Sequence, residues 1–151
     1  VMTQNYGPES RGGASAADVV ISDTEISYPA VSQPDILVFM SQEAYEKYKK
    51  DITSDTLLMV DQDIVKIAPD TEGHIYYIPF VRTADDMGKK IVANIVMLGA
   101  FTVITQLIPK DAMKKAILAT VPARFKDLND QAFERGCEVA SEISDKQLCM
   151  V

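Results

Sequence analysis

Residues 6–13 read Tyr-Gly-Pro-Glu-Ser-Arg-Gly-Gly, placing an acid, Glu9, and a base, Arg11, two positions apart among three glycines and a proline. Glycine visits backbone conformations other residues avoid, and proline fixes φ and removes a donor, so this segment cannot be a regular helix or a central strand. It is a shaped loop that displays Tyr6, Glu9 and Arg11, with Gly7, Gly12 and Gly13 leaving room for close approach and Pro8 stiffening the turn. Turn chemistry alone also selects glycine and proline, so a polar surface turn and a contact surface both fit these residues.

Other positions offer weaker chemistry. Ser41-Gln42-Glu43 follows an apolar run of strand length, and Ser41 is a helix N-cap with Glu43 in the first turn. Open α/β sheets place ligands at such strand ends, and a helix N-terminus favours an anion, so Ser41, Gln42 and Glu43 are candidate ligand-binding residues beside their capping role. Asp61-Gln62-Asp63 ends another apolar run, where the two acids either hold a metal or face water. The single histidine, His74, sits beside Gly73 in a turn. Asn94 and Gly99 interrupt an otherwise apolar helix. A buried Asn needs partners and a mid-helix Gly costs about 1 kcal/mol, so the pair points to close packing against another element or chain, with Asn94 a further candidate for ligand contact. There is no Gly-x-Ser-x-Gly elbow, no phosphate-binding Walker loop and no Cys-x-x-Cys; no catalytic residue or metal ligand is assigned.

The elements that must position these groups follow from pattern. Residues 1–3 read as the end of a strand, so the natural protein is expected to have residues before them. Residues 16–23 read as a short strand and 25–34, with Pro29 and Pro34, as a connection. Residues 35–41 and 56–60 are continuous apolar runs, the signature of strands covered on both faces in a parallel sheet. A helix is predicted over 42–51 with Tyr45 and Tyr48 on one face, and a brief edge strand around Ile64, Val65 and Ile67. A strand is expected over 75–81, with Pro79 at an edge or at its end. Thr83-Ala84-Asp85-Asp86 resembles a capping box opening one long helix to about Leu107. Pro109 introduces a helix over 110–120, and a last amphipathic helix runs from Leu128 to about Ile143, with Ala132, Phe133, Val139 and Ala140 apolar. These residues give a single α/β three-layer domain over 1–151, with a mostly parallel sheet and a helical C-terminal part.

The chain has 151 residues, 47% hydrophobic and 25% charged, which is the make-up of one ordinary globular domain. Its net charge of −7 argues against nucleic acid. The paired lysines (49–50, 89–90, 114–115) read as solvated helix faces. The apolar run 91–108 contains Asn94, Gly99, Thr102, Thr105 and Gln106 and only reaches the lower limit of a spanning segment, so a buried helix is expected and no membrane partner. Cys137 and Cys149 read as free thiols in a reducing cytoplasm.

Residues 3–13 resemble the Tyr-Gly-Pro-Glu-x-Arg-Gly-Gly signature of the gamma subunit of 2-oxoacid:ferredoxin oxidoreductases. Residues 18–22 (Asp-Val-Val-Ile-Ser), 34–37 leading to 41–44, 93–100 (Ala-Asn-Ile-Val-Met-Leu-Gly-Ala) and 129–136 (Asn-Asp-Gln-Ala-Phe-Glu-Arg-Gly) fit the same pattern in the same order. The strand and Gly-Gly-Gln-Gly turn with which family members begin are not in this sequence. The resemblance implies a Rossmann-like domain that acts as a subunit and is inactive alone. The enzyme would oxidatively decarboxylate a 2-oxoacid, with 2-oxoglutarate favoured, make an acyl-CoA from CoA, and reduce ferredoxin. Thiamine diphosphate, Mg and iron–sulfur clusters would belong to partner subunits, alpha and beta, with a ferredoxin-like delta subunit as a further candidate; this chain would bind none of them alone. Glu9 and Arg11 would then meet a partner subunit or the cofactor edge. The competing expectation is a stand-alone Rossmann-like nucleotide- or CoA-binding module, or a structural adaptor.

Overall fold

A computed structural model describes residues 1–6, 15–26, 31 and 33–148. By packing, the chain divides into two compact units, Val1–Val60 with Ile64–Ile75, and Asp61–Asp63 with Tyr76–Val151. The expected α/β class holds, with a parallel sheet followed by a helical C-terminal part.

The first unit opens with two antiparallel strands, β1 (Met2–Tyr6) and β2 (Ser15–Val19), paired from Met2 opposite Val19 to Tyr6 opposite Ser15. The strand expected over 16–23 therefore stops at Val19. Gly7, Pro8, Glu9, Arg11, Gly12 and Gly13 lie outside the described residues, as does Cys149.

Next along the chain come β3 (Ile36–Phe39), α1 (Gln42–Tyr48) extended by a 3-10 turn over Lys49–Asp51, β4 (Leu57–Asp61) and β5 (His74–Ile78), with Asp61 and residues 76–78 already counted in the second unit. The sheet order is β3-β4-β5, and β3 and β4 are parallel, with Ile36 opposite Leu57 and Phe39 opposite Val60. At the ends of the other pair, the His74 N–H donates to the Thr56 carbonyl and the Gln62 N–H to the Ile78 carbonyl, so these strands also run the same way. β4 is central, and Leu58, Met59, Val60 and Asp61 are all buried. That is why its sequence shows no polar alternation.

Phe39, Tyr45, Leu58, Val60 and Val65 form the core of this unit, with Tyr48, Ile52, Ile67 and Ile75 packed against them. The Phe39 and Tyr45 rings meet edge to face at 5.5 Å, a favourable arrangement of their quadrupoles. The brief strand expected around 64–67 is not formed. Val65 is instead an irregular-backbone anchor in the core. The backbone beside it bonds to a side chain, with the Lys66 N–H donating to Gln42 Oε1 at 2.7 Å and Gln42 Nε2 donating to the Lys66 carbonyl at 3.2 Å.

The second unit holds α2 (Phe80–Asp86), a 3-10 turn over Lys90–Val92, α3 (Ala93–Thr105), α4 (Lys110–Thr120), a 3-10 turn over Ala123–Phe125 and α5 (Lys126–Leu148). The single helix expected from Thr83 to Leu107 is overturned. Pro79 ends β5 and stands at the N-cap of α2, so Thr83 lies inside that helix and is buried, and caps nothing. Gly88, at φ +77°, then stops α2, as glycine can at little cost. Gln106 ends α3 in the left-handed region, Pro109 stands at the N-cap of α4, and α5 buries Ala132, Phe133, Val139 and Ala140 as the sequence pattern requires.

α3 and α5 are the main packed pair here, and they approach at two glycines. A Cβ at Gly99 would collide with the Phe133 carbonyl oxygen, and one at Gly136 with the Val96 carbonyl oxygen. The close packing inferred from Gly99 is thus between two helices of this chain. α4 is tied to α5 by Lys114 Nζ, which meets Asp130 at 2.7 Å and Glu134 at 2.9 Å. Hydrogen bonds from Lys110 and Lys114 hold the Glu134 carboxyl below its ordinary range.

Because both obstructing atoms are backbone, they cannot rotate away. Gly136→Ala is expected to lower the unfolding free energy by about 3 kcal/mol, measured by denaturant titration of the purified chain.

Candidate functional site

Parallel strands deliver their carboxyl ends to turns, and each turn here carries polar side chains. After β3, the Ser41 hydroxyl accepts a hydrogen bond from the Ala44 N–H at 3.2 Å, an N-cap as the sequence predicts. Gln42 is occupied with Lys66, as above, and with Glu46 Oε1 at 3.1 Å. Glu43 is exposed in the first turn of α1. Ser41 and Gln42 therefore spend their polar atoms on the chain itself.

The end of β4 holds the residue that pattern reasoning undervalued. Asp61 is fully buried. Its Oδ2 accepts from the Val81 N–H at 2.9 Å and its Oδ1 from the Asp63 N–H at 3.0 Å. A strand-end carboxylate thus caps the second position of α2, whose own N-cap, Pro79, offers no side-chain acceptor. Asp63 pairs with Arg82 at 3.4 Å on the surface. Both acids of the Asp61-Gln62-Asp63 turn are thereby accounted for without a metal. Among the described residues no group of three or more His, Cys, Asp or Glu is placed to hold one.

Asn94 was expected to be buried with partners. It is exposed in the first turn of α3, in the second unit, while Ser41, Gln42 and Glu43 belong to the first. Helix periodicity explains the difference: Ala93, Ile95, Val96, Gly99 and Ala100 take the inner face and leave Asn94 outside. His74 is exposed at the start of β5. Cys137 is buried, its Sγ 3.5 Å from the Gly99 carbonyl that accepts from it, and desolvation pushes its thiol pKa up. A buried thiol so shifted is inert packing.

Two concavities among the described residues bear on ligand binding. In the first unit, a cavity of about 300 Å³ is lined by residues including Tyr45, Lys49, Asp70, Thr71 and Glu72. Its floor is organised by the Tyr45 hydroxyl, which accepts from the Ala68 N–H at 3.0 Å and meets Thr71 Oγ1 at 2.7 Å. In the second unit, an open groove of about 470 Å³ along α4 is lined by Lys114, Lys115, Lys126, Asp111 and Leu118 among others. Neither carries an assembled nucleophile and base.

The family model for pyruvate ferredoxin/flavodoxin oxidoreductase matches residues 1–139. This chain belongs to that family. It is 51% identical over 146 residues to the 2-oxoglutarate synthase subunit KorC of Methanocaldococcus jannaschii, covering 95% of this chain and 78% of that one. The solved gamma subunit of a keto/oxoacid ferredoxin oxidoreductase from Geobacter sulfurreducens superposes with a TM-score of 0.78 at 39% identity, over 94% of this chain and 80% of that one. A ketoisovalerate oxidoreductase subunit VorA of Methanothermobacter thermautotrophicus is 30% identical over 95% of this chain but only 30% of its own length. The family resemblance carried by residues 3–13 and the later stretches is thus borne out, as is the α/β fold. The chain is a subunit of a 2-oxoacid:ferredoxin oxidoreductase. No helix among the described residues is long and apolar enough to cross a membrane.

Removing the buried Asp61 carboxylate would leave the Val81 and Asp63 N–H groups, both only partly buried, without their acceptor. Asp61→Ala is expected to cost about 2–3 kcal/mol in unfolding free energy, against about 1 kcal/mol for Ser41→Ala, each read by denaturant titration.

Proposed function

We propose that this chain is the gamma subunit of a 2-oxoglutarate:ferredoxin oxidoreductase. The observation that carries the reading is the 51% identity, across 95% of the chain, to a protein named as a 2-oxoglutarate synthase subunit. In the overall reaction 2-oxoglutarate loses its carboxylate as carbon dioxide, the remaining acyl group passes to the CoA sulfur, and the electron pair released goes to ferredoxin. Thiamine diphosphate with Mg would supply the decarboxylation chemistry and iron–sulfur clusters the electron path, both on partner subunits of alpha and beta type, with a ferredoxin-like delta subunit as a further member.

This chain has a single histidine and two cysteines, Cys137 and Cys149, which is too few ligands for a cluster of its own. Its contribution is to complete the assembly and shape the site's edge, as one gamma-subunit domain in the cytoplasm. The Tyr6–Gly13 segment is the contact we assign to that task, with Glu9 and Arg11 meeting a partner subunit or the cofactor edge. The polar atoms of Ser41 and Gln42 are already engaged within the chain, which favours the segment over the Ser41 turn as the functional contact.

Affinity isolation of this chain from its native source is the test. Subunits carrying thiamine diphosphate and clusters should co-purify. The complex should reduce ferredoxin with 2-oxoglutarate and CoA at a kcat/KM about tenfold or more above that with pyruvate or 2-oxoisovalerate. Recovery of the chain without such partners contradicts the reading.

A further inference from the structure

Among the described helices of the second unit, α4 is the least anchored. Its one fully buried side chain is Ile117, whereas α3 buries Ala93, Ile95, Val96, Gly99, Ala100 and Thr102 and is locked to α5 at Gly99 and Gly136. Pro109 at the N-cap of α4 offers no side-chain acceptor to the free N–H groups of the first turn, and the last turn holds no basic side chain. An isolated helix of 11 residues is marginal in water, so α4 depends on docking. It packs chiefly against α5 and to a smaller extent against α3. Even there the fit is open, because Leu118 and Ala119 face Lys126, at the start of α5, across the groove of about 470 Å³.

A clasp of charges stands where apolar packing is thin. The Lys110 and Lys114 ammonium groups donate to the two oxygens of Glu134, at 2.5 Å and 2.9 Å, and Lys114 also meets Asp130 at 2.7 Å. These contacts hold both lysines above their ordinary range and Glu134 below it. The four side chains are between 30% and 48% exposed, so water and salt screen each pair and each contributes modestly. Freeing α4 gives up these pairs and the burial of Ile117, far less than parting α3 from α5. Proteins open locally in cooperative units, and the units with the fewest buried contacts open first.

We infer that α4 is a latch: it leaves α5 as a unit while the α3–α5 crossing stays closed, and the Lys110–Glu134–Lys114 clasp sets how often it opens. Hydrogen exchange of the full chain, followed by mass spectrometry, tests this. Relative to their intrinsic rates, the α4 amides should exchange at least about tenfold faster than those at the centres of α3 and α5. That ratio should rise about fivefold further in Glu134→Gln and in the double variant Lys110→Met, Lys114→Met. Raising the salt from about 0.05 M to about 1 M should move the wild-type ratio in the same direction. Equal protection of α4 and α5 overturns the inference, because α4 would then open only with the whole unit. A folded variant whose ratio is unchanged overturns it too, since packing and not the clasp would hold the helix. If neither variant folds, the wild-type salt series decides, and a flat ratio there overturns the inference.

Discussion

The close crossing of α3 and α5 is the constraint on which the helical unit depends. Gly99 and Gly136 remove the side chains that would hold the helices apart, so each helix lays backbone against the carbonyl of the other. That contact explains why α3 is so apolar: Val96, Ala100 and Thr102 become interior, and only its start and rim see water. It also explains a buried cysteine, since the Cys137 thiol is small enough to sit at the crossing and donates weakly to Gly99. Dense packing of this sort gains dispersion energy per area but tolerates no added methyl group. The lysine–carboxylate cluster between α4 and α5 lies on the outside of this arrangement. Surface ion pairs contribute little by comparison, and their role is to orient α4.

At the strand ends the same economy of polar groups recurs. Ser41 caps α1, Gln42 stitches the 64–67 segment to that helix, and Asp61 caps α2 from the end of β4. In α/β enzymes these are the positions that face a ligand. Here their hydrogen bonds close on the chain itself. A fold that spends its strand-end side chains on its own helix termini suits a subunit whose chemistry is completed by neighbours.

Much of this was legible in the sequence. The apolar runs of β3 and β4, the Ser41 cap, the Pro109 start of α4 and the buried positions of α5 all follow from local rules that tertiary packing did not oppose. The misreadings have a common cause, which is that a side chain's partner can lie far along the chain. Nothing local marks Asp61 as the cap of a helix twenty residues later, and without that cap Thr83 looked like a better start than Phe80. Gly88 is a stop signal inside the span of that expected helix, and the sequence reading did not use it. Val65 is apolar in a polar stretch, and the bridge from Gln42 to the Lys66 backbone beside it is one that periodicity cannot register. Asn94 was misjudged because its neighbours' hydrophobicity was read as burial all round, where a one-residue rotation on the helix sufficed to expose it. The family signature at 6–13 was the strongest functional signal, and its meaning came from resemblance and not from residue chemistry alone.

The claim at the centre of this account is the proposal that the chain is a required subunit of a 2-oxoacid:ferredoxin oxidoreductase, inactive on its own. Reconstitution of the enzyme from separately purified subunits, with this chain present or omitted, measures it directly as ferredoxin reduction by 2-oxoglutarate and CoA. The account predicts that omission abolishes turnover, that this chain alone has none, and that adding it back restores the rate with saturation at a fixed stoichiometry. Full turnover by the other subunits without it would contradict the account.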